Sequence, residues 1–89
     1  MKYTLFYTAK AKKNLKDIDT VEANRILDKL DFFIETGKPF KYAKKLREYK
    51  NGSFRFRIGD YRVIFDVDNK GNITLLVILL VKHRRDVYL

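Results

Sequence analysis

Arg55, Arg57 and Arg62 flank the pair Gly59-Asp60, and their spacing is the most chemically pointed feature of the chain. A Gly-Asp pair between two runs of alternating apolar residues predicts a two-residue hairpin loop. Counting outward from it, Ile58 sits opposite Tyr61, Arg57 opposite Arg62, Phe56 opposite Val63, Arg55 opposite Ile64 and Phe54 opposite Phe65. Side chains alternate between the faces of a strand. Phe54, Phe56, Ile58, Tyr61, Val63 and Phe65 therefore share one face, and the three arginines share the other. Like charges placed directly opposite each other weaken a sheet, where a matched pair gains about 0.2–1 kcal/mol. Three guanidiniums on one patch suit a phosphate, because each presents a planar fork of donors. The structural alternative is a solvated face whose charges splay into water. The reading depends on register, since a slip of one residue sends the arginines to the other face.

Two further basic segments extend this set. The tail Lys82-His83-Arg84-Arg85-Asp86-Val87-Tyr88-Leu89 joins the patch if it crosses the outer face, and an aromatic beside arginine is a common way to stack a base. The alternatives are a C-terminal anchor for Tyr88 and a hydrogen-bonded strand end for His83. Residues 40–50 form a basic connector carrying Lys41, Lys44, Lys45, Arg47 and Lys50, with Phe40, Tyr42 and Leu46 to pin it to the core.

The inventory narrows the chemistry. One histidine, no cysteine and no clustered carboxylates give no set of metal ligands, so no cofactor is expected. The four glycines, 37, 52, 59 and 71, sit at stops and turns and make no phosphate loop. Arg, His and Tyr remain, a set that can stabilise a phosphorane-like transition state electrostatically. The nucleophile would then come from the substrate, as the 2′-hydroxyl of RNA does.

The elements that must position these groups are legible in outline. Eighty-nine residues predict one domain, 1–89, burying about 60–65% of the surface of its unfolded chain. A composition 46% hydrophobic and 15% aromatic suits a folded core. Net charge is +9, divided as +1 over residues 1–37 and +8 over residues 38–89, which points to a polyanionic partner. Absence of cysteine fits a reducing cytoplasm. The N-terminus shows no secretory signal, and the longest apolar run, Leu75 to Val81, is too short to span a membrane.

Residues 2–7 alternate as a strand. Thr8 is placed to cap a helix over 9–16. Asp19 and Glu22 have capping-box spacing before a second helix with its stripe at Ala23, Ile26, Leu27, Leu30, Phe33 and Ile34, stopped by Gly37 and Pro39. Strands follow at 53–58, 61–67 and 73–81, the second pair joined by a longer turn over 68–72. The last strand, apolar on both faces, should be central. The predicted class is α+β, in the order strand-helix-helix-strand-strand-strand, with two helices on one face of a small antiparallel sheet.

The run from Leu46 through Ser53-Phe54-Arg55-Phe56-Arg57-Ile58-Gly59-Asp60-Tyr61-Arg62-Val63-Ile64-Phe65 to His83-Arg84-Arg85-Asp86-Val87-Tyr88 resembles the RelE/ParE toxin superfamily of prokaryotic toxin–antitoxin systems. With the strand–helix–helix start, the resemblance covers the whole chain. It implies a RelE-like fold and a ribosome-dependent mRNA endonuclease that cuts in the A site by 2′-hydroxyl attack, without metal, leaving a cyclic phosphate. By motif position, Arg55 and Arg57 match the two basic positions of the first hairpin strand. Arg62 matches the arginine that holds the scissile phosphate, and Arg84 the tail arginine that stabilises the transition state or protonates the leaving group. Tyr88 matches a near-terminal tyrosine that stacks on or activates the nucleotide. Catalysis is thus expected from Arg62, Arg84, Tyr88 and Arg57, and RNA binding from Arg55, Lys44, Lys45, Arg47, Lys50, His83 and Arg85.

The chain departs from the family pattern in two ways. Some members carry hairpin lysines able to act as general base; a guanidinium keeps its proton, which passes that role to Tyr88 first or to His83. No residue follows Leu89, so the C-terminal helix of some members is not expected. The implied partners are mRNA, the ribosome, a cognate RelB-like antitoxin that is at least partly acidic, and operator DNA only through the antitoxin complex. Two other functions fit the same resemblance, a ParE-type inhibitor of DNA gyrase and a non-catalytic RNA-binding relative.

Overall fold

The computed structural model describes residues 2–46 and 53–87, the last two, Asp86 and Val87, by their backbone alone. In chain order the elements are β1 (Lys2–Tyr7), α1 (Ala9–Asp17), α2 (Thr20–Glu35), a 3-10 turn (Pro39–Tyr42), β2 (Ala43–Lys45), β3 (Phe54–Ile58), β4 (Tyr61–Lys70), β5 (Ile73–His83) and the short helix α3 (Arg84–Val87). The α+β class and the strand–helix–helix start are as the sequence predicts.

Both helices begin at the side chains expected to cap them. Thr8 Oγ1 accepts the Ala11 N–H and opens α1; Asp19 accepts the Val21 N–H and opens α2. At the far end of α2 the Thr36 hydroxyl donates to the Phe33 carbonyl, Gly37 takes a φ of 74°, and Pro39 starts the 3-10 turn.

Five strands make one sheet in the order β1-β5-β4-β3-β2. Three features depart from the expected antiparallel meander. The sheet is mixed, because β1 pairs with β5 in parallel, Phe6 beside Val77 and Tyr7 beside Ile78. The basic connector supplies a three-residue edge strand, β2, with Lys44 opposite Arg55. The turn after β4 is only Gly71-Asn72, since Lys70 pairs with Ile73 and Gly71 provides the positive φ of 62° that such a turn demands. β5, flanked by β1 and β4, is interior as expected.

One face of the sheet carries the core. Ala11 of α1 and Ile26, Leu30 and Phe33 of α2 pack on Phe56, Ile58, Val63, Phe65, Leu76, Ile78 and Val81. Phe56 stacks on Phe65 with centroids 4.4 Å apart, and Phe33 lies 4.8 Å from Phe56. These aromatic pairs add about 0.5–1.5 kcal/mol each beyond the area they bury. α1 and α2 both pack on this face, and the hairpin register puts the arginines on the other.

Candidate phosphate-binding site

The hairpin register read from the sequence is the one observed: Phe54 opposite Phe65, Arg55 opposite Ile64, Phe56 opposite Val63, Arg57 opposite Arg62 and Ile58 opposite Tyr61. A third strand completes the row, because Lys82 of β5 sits opposite Arg62. Arg57, Arg62 and Lys82 therefore lie side by side across three strands, one residue pair in from the hairpin turn. The next row adds Lys44 and Arg55.

A bulge places Lys82 there. From the Gly71-Asn72 turn the β4–β5 register runs unbroken to Phe65 opposite Ile78, then shifts so that Ile64 faces Leu80. Leu79 is the additional residue. Were the register to continue unbroken through Leu79, Arg62 would face Val81 and Lys82 would turn to the helix side. Thr8 holds the bulge: its hydroxyl donates to the Ile78 carbonyl at 2.9 Å, with the Leu79 carbonyl at 3.3 Å, and its N–H donates to the Ile78 carbonyl at 3.1 Å. The cap of α1 thus also sets the direction in which Lys82 points. Sequence counting from a longer turn could not show this; the visible signal was only a lysine following an apolar strand.

The electrostatics of the row are those of an incomplete site. Arg62 is 4% exposed, and its Nη1 donates to the Tyr61 carbonyl at 3.3 Å. Its Nε is buried and has no hydrogen-bond partner among the described residues. Among the described residues none of Lys44, Arg55, Arg57, Arg62 and Lys82 has an acidic partner within ion-pair distance. An unpaired buried donor costs about 1–3 kcal/mol, and more when it carries charge. Neighbouring cations raise that cost. A phosphate on the row would supply acceptors and negative charge together, which no acidic side chain among the described residues does.

The remaining predicted residues are placed as follows. Arg84 opens α3 and is tied to the hairpin tip: its N–H donates to the Asp60 carbonyl at 2.7 Å, and its Nε lies 3.9 Å from the Asp60 carboxylate. Arg85 is exposed on α3, and its N–H donates to His83 Nδ1 at 3.3 Å. His83 is opposite Tyr61 and so belongs to the helix side of the sheet, its ring edge-on to that tyrosine at 5.4 Å. Lys45 is opposite Phe54, a core-face position, and is likewise separated from the arginine row. Arg47, Lys50 and Tyr88 lie outside the described residues.

With this geometry in place, known proteins give the lineage. The family described as the ParE toxin of the type II toxin–antitoxin system parDE matches residues 5–88. Toxin RelG of Mycobacterium tuberculosis is 31% identical over 88 residues, covering 99% of this chain and 98% of that protein. Among solved structures, the toxin–antitoxin complex RelBE2 from the same organism contains a chain similar at a TM-score of 0.72 and 26% identity, covering 94% of this chain and all of that one. The archaeal RelE–RelB complex from Pyrococcus horikoshii gives a TM-score of 0.65 at 26% identity, over 94% and 97% of the two chains. The chain therefore belongs to the RelE/ParE superfamily and is a toxin of a type II toxin–antitoxin system.

Proposed function

We propose that this toxin is a ribosome-dependent endonuclease that cuts mRNA in the A site without a metal ion. The observation that carries the reading is the buried, unpartnered Nε of Arg62 at the centre of a row of three cations. On the row, Arg57 and Lys82 draw the scissile phosphate from either side and Arg62 meets it from the sheet. The RNA 2′-oxygen attacks phosphorus, the phosphorus–O5′ bond breaks, and the products are a 2′,3′-cyclic phosphate and a 5′-hydroxyl end. Negative charge grows on the phosphoryl oxygens in the transition state, where preorganised donors are worth most. Arg84, beside the hairpin tip, serves the leaving 5′-oxygen. Tyr88 takes the 2′-hydroxyl proton, since His83 faces the helix side and its Nδ1 already accepts the Arg85 N–H. Lys44 and Arg55 beside the row, with Arg47, Lys50 and Arg85, contribute to holding RNA.

The relatives' complexes are toxin–antitoxin pairs, and by the same reading this chain has a cognate antitoxin, acidic where it meets the +9 surface. The match to the ParE family gives weight to one rival, inhibition of DNA gyrase by a module with no chemistry of its own. One pair of assays separates them. Purified toxin should cut mRNA in a reconstituted translation system only when ribosomes are present, and a 2′-deoxynucleotide at the cut position should abolish cleavage there. Intact mRNA together with loss of supercoiling by purified gyrase would replace the nuclease reading with the rival.

A further inference from the structure

On the helix side of the sheet, where the end of α1 meets the ends of β4 and β5, a pocket of about 280 Å³ opens among Asn14, Asp17, Ile18, Tyr61, Lys82 and His83. It is separate from the arginine row, but Lys82 borders both. Its chemistry is mixed in a particular way. Ile18 and Tyr61 pack against the core and give it an apolar side. The Tyr61 and His83 rings hold each other edge-to-face, at an interplanar angle of 81°, which fixes both orientations. Asn14 Oδ1 accepts the Val81 N–H at 3.0 Å, which anchors the carboxamide and leaves its NH₂ as a donor. Asp17, held by Lys13 at 3.3 Å, supplies an acceptor at the rim.

No simple ligand class uses all of these. A free phosphate would be repelled by Asp17, and an aliphatic side chain would leave both the Asn14 amide and the Asp17 carboxylate without partners. A planar heteroaromatic ring with donors and acceptors on its edge uses the ring wall, the amide and the carboxylate together, as proteins do when they read unstacked bases. We propose that this pocket holds one nucleobase of an RNA strand whose neighbouring phosphate lies on the Arg57–Arg62–Lys82 row, the chain passing over the end of the sheet at Lys82. The inference rests on the RNA-binding reading above and adds a base-recognition subsite to it.

His83 is the only histidine, so its imidazole C–H signals report on this pocket without ambiguity. The experiment is an NMR titration of the whole protein with uncleavable 2′-O-methyl trinucleotides, against an abasic trinucleotide of equal charge. The base-bearing strands should shift the His83 signals saturably and bind at least about fivefold more tightly than the abasic strand, the lower bound for stacking one base. Ile18→Trp, which fills the pocket, should remove that difference. Equal shifts or equal affinity for the abasic strand would overturn the proposal, as would an undiminished base preference in a folded Ile18→Trp variant. The wild-type comparison decides alone if that variant does not fold. Base-dependent binding by a protein that cuts no mRNA would leave the pocket standing and remove the nuclease; ribosome-dependent cleavage without base-dependent shifts would do the reverse.

Discussion

The outer face of the sheet has two ends that share strands β4 and β5, and they treat charge in opposite ways. At the Gly71-Asn72 end, Asp68 is paired with Lys70 at 3.4 Å, and Asp66 lies in a row with Val77 and the 55%-exposed Phe6. At the hairpin end, five cations, Lys44, Arg55, Arg57, Arg62 and Lys82, share two rows, and none has an acid within reach among the described residues. At one end an acid is paired within the strand; at the other no acid among the described residues reaches the cations. The division falls at the Leu79 bulge, beyond which the face becomes cationic. The comparison separates charge that serves the fold from charge that the fold tolerates.

The largest effect is expected when the hairpin end is made to resemble the other. Arg57→Glu gives Arg62 a cross-strand partner. Thermal unfolding should show stability unchanged or higher by about 0.2–1 kcal/mol, while the cleavage rate falls by about 100-fold or more, the usual loss when a transition-state donor is removed. A fall in both quantities would mean that the row serves the fold.

Thr8→Val tests the bulge. It removes the α1 cap and the hydroxyl bonds to the Ile78 and Leu79 carbonyls, and should cost about 1–2 kcal/mol. Cleavage should fall about tenfold as Lys82 loses its fixed direction, in line with the sensitivity of catalysis to small displacements. Asp19→Ala, which removes the α2 cap at a similar cost in stability, should leave cleavage within about twofold once rates are measured on folded protein. Equal effects of the two substitutions on rate would remove the positioning role of the bulge.

The core face of the sheet also holds a group that responds to pH. Burial, with Asp31 nearby as the lesser cause, pushes the Tyr7 hydroxyl up to about 12. A group whose acid dissociation is raised in the folded state contributes its stability below the unfolded value, near pH 10, and loses it as pH climbs towards 12. Denaturant titrations at pH 9 and pH 12 should show wild type losing about 1–2 kcal/mol more than Tyr7→Phe, allowing for partial exposure to solvent. At the self-balanced end the effect should be smallest: Asp68→Ala should change stability by less than about 0.5 kcal/mol and leave cleavage untouched.

What could be read from the sequence followed from how local each pairing is. The β3–β4 hairpin was legible because Gly59-Asp60 fixes the register and no bulge intervenes before Phe54. Both caps, Thr8 and Asp19, were visible because capping is settled within three residues. The β4–β5 pair was not fully legible, because its register changes at Leu79 and is held there by Thr8, about seventy positions away. For the same reason the sequence shows Lys82 only as a tail cation and not as the partner of Arg62. The parallel pairing of β1 depends on the far end of the chain, and β2 is a three-residue edge strand in a basic segment without strand alternation. His83 went to the helix side because β5 runs as far as that residue before α3 begins.

The central claim is that Arg62 is kept for a phosphate at some cost to the fold, and one substitution addresses both halves. Arg62→Met replaces a buried, half-satisfied guanidinium with an apolar chain, an exchange that is often neutral or stabilising for buried charges. The cleavage rate in the reconstituted translation system and the unfolding midpoint are measured on the same preparation. A midpoint equal to or above that of wild type is expected, with ribosome-dependent cleavage reduced by about 100-fold or more. Cleavage at the wild-type rate, from a variant shown to be folded, would contradict it.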